Sequence, residues 1–178
     1  MKNDLDEPVH LVEYDSNWTE LFREESGRLC KVAPFILAAE HFGSTAIQGM
    51  AAKPIVDILI GVKELPVVAH DIQQLQQAGY EYLGEAGVPG RSYFRKRGIQ
   101  NFNLAIVVLG GHHWKDNLLL RDYLRSDRAA AAEYEREKRQ AIADGAAMLL
   151  AYSQAKDDCI SRLVARARAW RTSIAAAT

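Results

Sequence analysis

From residue 17 onward, apolar side chains recur at helical spacing, at Trp18, Leu21, Phe22 and Leu29. This predicts an amphipathic helix over 17–32, stopped by Pro34. Ahead of it, residues 9–14 alternate as a short strand, and Asp15-Ser16-Asn17 supplies a turn or helix cap. Residues 35–41 read as a strand and 45–51 as a short helix. The pattern then becomes a near-continuous apolar run over 54–62, as in a strand at the centre of a sheet covered on both faces. A helix over 66–78 ends at Gly79, followed by a weak strand at 80–83 and a loop at 85–90 containing Gly87, Pro89 and Gly90. Two further strands, 91–97 and 101–109, are joined by Gly98-Ile99-Gln100.

After Gly110-Gly111 the character changes. Segments 113–125, 127–143 and 146–170 are rich in Ala, Leu, Arg and Glu and carry no proline, so three helices are expected, the last two separated by Gly145. Tyr152, Cys159, Ile160, Leu163, Ala167 and Trp170 form a buried stripe, and residues 173–178 are expected to fray. The predicted architecture is α+β: a mixed sheet with flanking helices and a C-terminal helical half. No internal repeat or linker divides the chain, which reads as one domain, 1–111 forming its α/β part and 112–172 its helices.

Composition narrows the function classes. Formal net charge is −1 in 178 residues, which argues against a strongly basic nucleic-acid binder. No apolar run is long enough to span a bilayer, and the acidic N-terminus lacks a signal-peptide core. Cys30 and Cys159 lie far apart without a CxxC and read as buried small hydrophobes of a reduced compartment. A cytoplasmic protein is expected.

One residue breaks the apolar pattern. Asp57 stands in the middle of Ile55-Val56-Asp57-Ile58-Leu59-Ile60, where an unpaired carboxylate is costly. Either it caps the short helix or pairs with Lys53 or an arginine, or it stands at the mouth of a site facing a metal or ligand. Upstream, Gly43-Ser44-Thr45 opens a predicted helix, where glycine permits close approach and backbone N–H groups and the Ser44 hydroxyl attract anions. Lys53 precedes Pro54, which biases it towards extended backbone; it could reach a phosphate or neutralise Asp57. Arg91, Arg95 and Arg97 alternate with Tyr93, as in a phosphate-binding face or a solvated edge strand. Asn101 and Asn103 share a face of the next strand, and His41 stands just before the Gly-Ser turn. His112-His113 fits a helix start better than a metal site. Arg121, Asp122 and Arg125 either form a helical ion pair or brace the helices against the sheet. Ser44 has no His-Asp partners of the kind nucleophilic hydrolysis needs.

Residues 43–62, GSTAIQGMAAKPIVDILIGV, closely resemble the signature of the GrpB family. The likeness extends to VEYDSNWTELF at 12–22, LLLRDYLRSDRAAAAEYEREKRQ at 118–140 and AYSQAKDDCISRLVARARAW at 151–170. The resemblance implies a nucleotidyltransferase-like fold. In enzymes of that fold a Gly-Ser turn holds the triphosphate, and an Asp-x-Asp pair with a third carboxylate holds two Mg²⁺ ions. By this likeness Gly43, Ser44 and Thr45 cradle phosphate and Asp57 is the first acid. Leu59, however, occupies the second acid's position, and Asn101 and Asn103 offer amides in place of the third. That leaves room for one Mg²⁺ completed by ligand phosphates and water. The implied activity is binding of a nucleoside triphosphate or other small phosphorylated molecule, with nucleotidyl transfer to a small acceptor. The alternatives are a non-catalytic nucleotide- or coenzyme A-related binding module and an ATP-dependent ligase-like enzyme. The alanine-rich helical half offers a surface for a homodimer.

Overall fold

The computed structural model describes residues 6–176. Five strands, β1 (Ala38–Phe42), β2 (Val56–Val62), β3 (Glu81–Tyr82), β4 (Ser92–Lys96) and β5 (Phe102–Val108), form one mixed sheet in the order β1-β2-β5-β4-β3. β2 and β5 run parallel at its centre; every other neighbour is antiparallel. Both central strands are apolar on both faces because both faces are covered. Val56, Ile58, Ile60 and Val62, with Phe102, Leu104 and Ile106, pack under Trp18 and Leu29 of α1 (Asn17–Val32) and Leu75 of α2 (Ala69–Gln77). The opposite face, Leu59, Ala105 and Val107, packs on Trp114 and Leu118 of α3 (His112–Ser126). Gly61 belongs to that face, and a Cβ there would stand 2.9 Å from the Trp114 ring.

Two more helices complete the layer, α4 (Arg128–Ala143), whose Asp127 cap accepts from Ala130 N, and α5 (Leu149–Ala176). Cys159, Leu163 and Ala167 of α5 meet Tyr123, Leu124, Ala130 and Tyr134 of α3 and α4, as the stripe predicts. Ile47 and Met50 enter the same cluster, so the helical half packs directly on the segment after β1.

Several expectations need correction. Residues 9–14 form no strand: Val12 bridges Ala52 and Pro8 bridges Met148, and two partners from different elements cannot propagate one ladder. Residues 45–51 form only a 3-10 turn, Ser44–Ala46. Ile47 is already extended, Gly49 has φ +80°, and Ala52 hydrogen-bonds Val12 instead of continuing a helix. The helix expected from residue 66 begins only at Ala69, with Val68 extended. Cys30 is exposed; Cys159 is buried as expected. α5 stays helical to Ala176, and the rest of the expected frayed end lies outside the described residues. No helix among the described residues is long and apolar enough to cross a membrane.

Candidate functional site

Asp57 opens onto a cavity of about 330 Å³ walled by residues of β1, β2, β4, β5, α4 and α5. On β2 it points to the Leu59 face, beside Asn103 of β5 and opposite Phe42 of β1. Its Oδ1 accepts from Asn103 Nδ2 at 2.7 Å, while Asn103 Oδ1 accepts from Arg97 at 2.9 Å. The amide is thereby oriented: a guanidinium can only donate and a carboxylate only accepts, so the oxygen faces Arg97 and the N–H faces Asp57. Arg97 is held in turn by both oxygens of Glu7, at 2.9 and 2.6 Å. A relay of Glu7, Arg97 and Asn103 thus fixes the carboxylate of Asp57.

Gly43 sits against the other oxygen. Its φ of +71° and ψ of −171° lie in a region open essentially to glycine, and a Cβ there would stand 2.6 Å from Asp57 Oδ2. Ser44 lines the cavity, and its side chain hydrogen-bonds the Tyr134 hydroxyl. Burial raises the Tyr134 pKa to about 12, with the Ser44 bond opposing the rise. Thr45 is also at the wall, but its hydroxyl is occupied by His41 Nε2 at 3.0 Å. His41 stacks on Phe22 of α1 and is absent from the cavity lining; burial, then the charges of Arg125 and Arg121, lower its pKa to about 4, so it is neutral at pH 7.

The helices hold the 44–53 segment in place. Arg125 Nε donates to Ala46 O at 2.9 Å, Ala51 N donates to Glu135 at 3.1 Å, and Lys138 Nζ donates to Ala51 O. Arg121 reaches Glu40 at 2.7 Å and His41 O at 3.1 Å. The bracing alternative therefore describes Arg121 and Arg125, and Asp122 pairs with Arg121 rather than Arg125. His112 begins α3 and His113 contacts Pro89 O at 2.8 Å.

Cations surround the acid. Among the described residues, Lys53, Arg91 and Lys156 line the cavity against the single carboxylate of Asp57. Burial lowers the pKa of all three, and Asp57 draws each back up. Lys156 falls to about 8 and lies 4.2 Å from the centroid of the Tyr152 ring. Arg91 stacks 4.6 Å above Tyr93 and donates to the carbonyls of Glu85 and Ala86. The predicted arginine face is divided. Arg91 and Tyr93 line the cavity, whereas Arg95 bonds Glu81 at 2.7 Å and Arg97 bonds Glu7. Asn101 stands outside the cavity, its Oδ1 accepting from Gly98 N in the β4–β5 turn.

Sequence reasoning missed Lys156, Tyr134, Tyr152 and Glu7. Lys156 carried a signal, because it stands four residues from both Tyr152 and Ile160, on the apolar side of α5. Glu7 carried none; its pairing with Arg97 spans ninety residues of chain.

The donor set does not fit a divalent ion. Leu59, in the second acid's position, is buried against Trp114 and Leu118. Asn103 turns its N–H, not its oxygen, to Asp57. No group of three or more His, Cys, Asp or Glu residues that could hold a metal occurs among the described residues. A larger cleft, about 770 Å³, lies beyond the 46–50 segment, but its Arg125 and Glu135 are already engaged by Ala46 O, Ala51 N and Arg139. The Asp57 cavity is therefore the better candidate.

The family profile described as GrpB protein matches residues 8–166. The UPF0157 protein YqkA of Bacillus subtilis is 38% identical over 165 residues, which cover 92% of this chain. The chain spans about half the length of that relative, 48%. The glutamate-rich protein GrpB of Alkalihalophilus pseudofirmus is 35% identical over 138 residues, 74% of this chain and 79% of that protein. The crystal structure of the conserved protein GrpB of Enterococcus faecalis superposes with a TM-score of 0.79 at 33% identity, covering 90% of this chain and 99% of that one. The chain belongs to the GrpB family.

Proposed function

We propose that this member of the GrpB family binds a small phosphate-bearing molecule, of the nucleotide class, in the cavity over Asp57. One observation carries the reading: among the described residues, Lys53, Arg91 and Lys156 converge on a pocket lined by one carboxylate, that of Asp57. Walls of low dielectric focus such an excess of positive charge on whatever enters. Ser44 adds a hydroxyl at the rim, and Gly43 keeps the backbone clear of the acid. Leu149, Leu150, Ile160 and the rings of Tyr134 and Tyr152 form an apolar wall suited to the organic part of the ligand.

The catalytic form of this reading is nucleotidyl transfer to a hydroxyl or amine. Asp57 would accept the acceptor's proton as its oxygen or nitrogen bonds to the α-phosphorus, and pyrophosphate would leave with the bond to the β-phosphate oxygen. The lysines and Arg91 would stabilise the charge on the phosphates. Thermal denaturation with ATP, GTP, CTP, UTP, coenzyme A and uncharged adenosine tests the binding. A ligand at a hundred times its Kd stabilises by about 2.7 kcal/mol, a rise in Tm of about 5–10 °C for a domain of this size. Stabilisation by one or more of the phosphates and not by adenosine is expected. A flat response to all of them would overturn the reading. Pyrophosphate release that Asp57→Asn abolishes would establish transfer; binding without release would leave a binding protein.

A further inference from the structure

The mismatch between Asp57 and a metal centre has a positive counterpart. Asp57 has one oxygen occupied by Asn103 and no second carboxylate beside it among the described cavity residues, so it is poorly equipped to hold a divalent ion. Lys53 and Lys156 are in the opposite situation. Among the described residues neither donates to a carboxylate or carbonyl within hydrogen-bond reach, and Lys156 has only the Tyr152 ring. Arg91 spends donors on backbone carbonyls, which leave its charge uncompensated. Buried or half-buried ammonium groups without acceptors are costly unless something fills the space between them. A phosphate does so: it supplies several acceptor oxygens and the missing negative charge.

We infer that the cavity holds its ligand's phosphate on Lys53, Arg91 and Lys156 in place of a divalent cation, so that a small organic phosphate binds free of metal. This rests on the reading of the cavity as a phosphate site. Lysine and arginine then perform the charge neutralisation that Mg²⁺ performs in two-metal enzymes. Asp57 repels the phosphate and attracts a donor elsewhere on the ligand, such as a hydroxyl or ammonium group. The arrangement selects a phosphate ester that also carries such a donor beside an apolar body.

Calorimetric titration of the full chain with pyrophosphate, AMP and ATP, in excess EDTA and in excess Mg²⁺, tests it. Binding of at least one probe is expected in EDTA, with no loss relative to Mg²⁺. Lys156→Gln and Lys53→Gln should each weaken that binding about tenfold or more, the loss typical of a charge-assisted contact. Asp57→Asn separates the alternatives. The new amide oxygen can still accept from Asn103, and removing the negative charge should leave anion binding equal or tighter, whereas a metal held by Asp57 would be lost with it. Binding that requires Mg²⁺ and disappears in Asp57→Asn would overturn this inference and leave the phosphate-site reading intact. Binding of no probe in either condition would overturn both.

Discussion

Gly43→Ala is the most informative single substitution, because two separable costs meet at one methyl group. The backbone cost comes from φ +71° and ψ −171°, a region in which a side chain costs about 1–3 kcal/mol. The steric cost comes from Asp57, whose Oδ2 would stand 2.6 Å from the new Cβ. The carboxylate cannot simply turn aside, since its Oδ1 is held at 2.7 Å by an Asn103 amide that Arg97 fixes on its far side. Displacing it breaks a hydrogen bond to a charged group, worth about 1.5–3 kcal/mol. The sum is a loss of about 2.5–6 kcal/mol, a large share of the about 5–15 kcal/mol typical of a domain. Urea denaturation of wild type, Gly43→Ala, Asp57→Ala and the double variant measures both parts. In the Asp57→Ala background the carboxylate and its hydrogen bond are gone and only the Cβ of residue 57, 3.2 Å from the new methyl, remains, so Gly43→Ala should cost about 1.5–3 kcal/mol less there. A single-variant loss under about 1 kcal/mol, with coupling within about 0.5 kcal/mol of zero, would refute the claim that Gly43 is required by the acid.

Other expectations follow from the same geometry. Burial opposes the charge of Glu25, but hydrogen bonds from Arg28, Tyr80 and Lys96 outweigh it and bring the pKa down from 4.5 to about 2. A carboxylate depressed in the fold stabilises above its unfolded pKa and loses that contribution as pH falls towards 2, so wild-type stability should decline over that window and Glu25→Gln should flatten the decline in urea titrations. An equal decline in the variant would exclude Glu25 as its source. Burial, then the charge of Lys156, lowers the Lys138 amine to about 7. The unfolded chain therefore binds more protons above pH 7, stability should rise from pH 7 towards 10, and Lys138→Met should reduce that slope; an unchanged slope would contradict this. Gly61→Ala drives a methyl into Leu109 and Trp114, at 2.7 and 2.9 Å, and should cost about 1–3 kcal/mol by overpacking; wild-type stability in urea would show that the ring has room to move.

Local pattern was enough wherever an element's environment is uniform along its length. α1 falls on the expected residues because its apolar spacing leaves one face to bury, and β2 is central as expected because a strand covered on both sides is apolar nearly throughout. Asp57 stood out for the same reason, as the one polar residue in such a run. What the chain's own periodicity could not decide is where distant segments meet. Residues 45–51 have helical composition, yet Arg125, Glu135 and Lys138 claim the carbonyls and N–H of that segment, and Val12 pairs with its end. Lys156 enters the Asp57 cavity only because α5 docks with Cys159 and Leu163 against α3 and α4. Glu7 and Arg97 meet only when the N-terminal segment pairs with Ala52 and Met148. Secondary structure follows from periodicities a few residues long, whereas the cavity is walled by side chains from six separate segments, and packing alone brings those together.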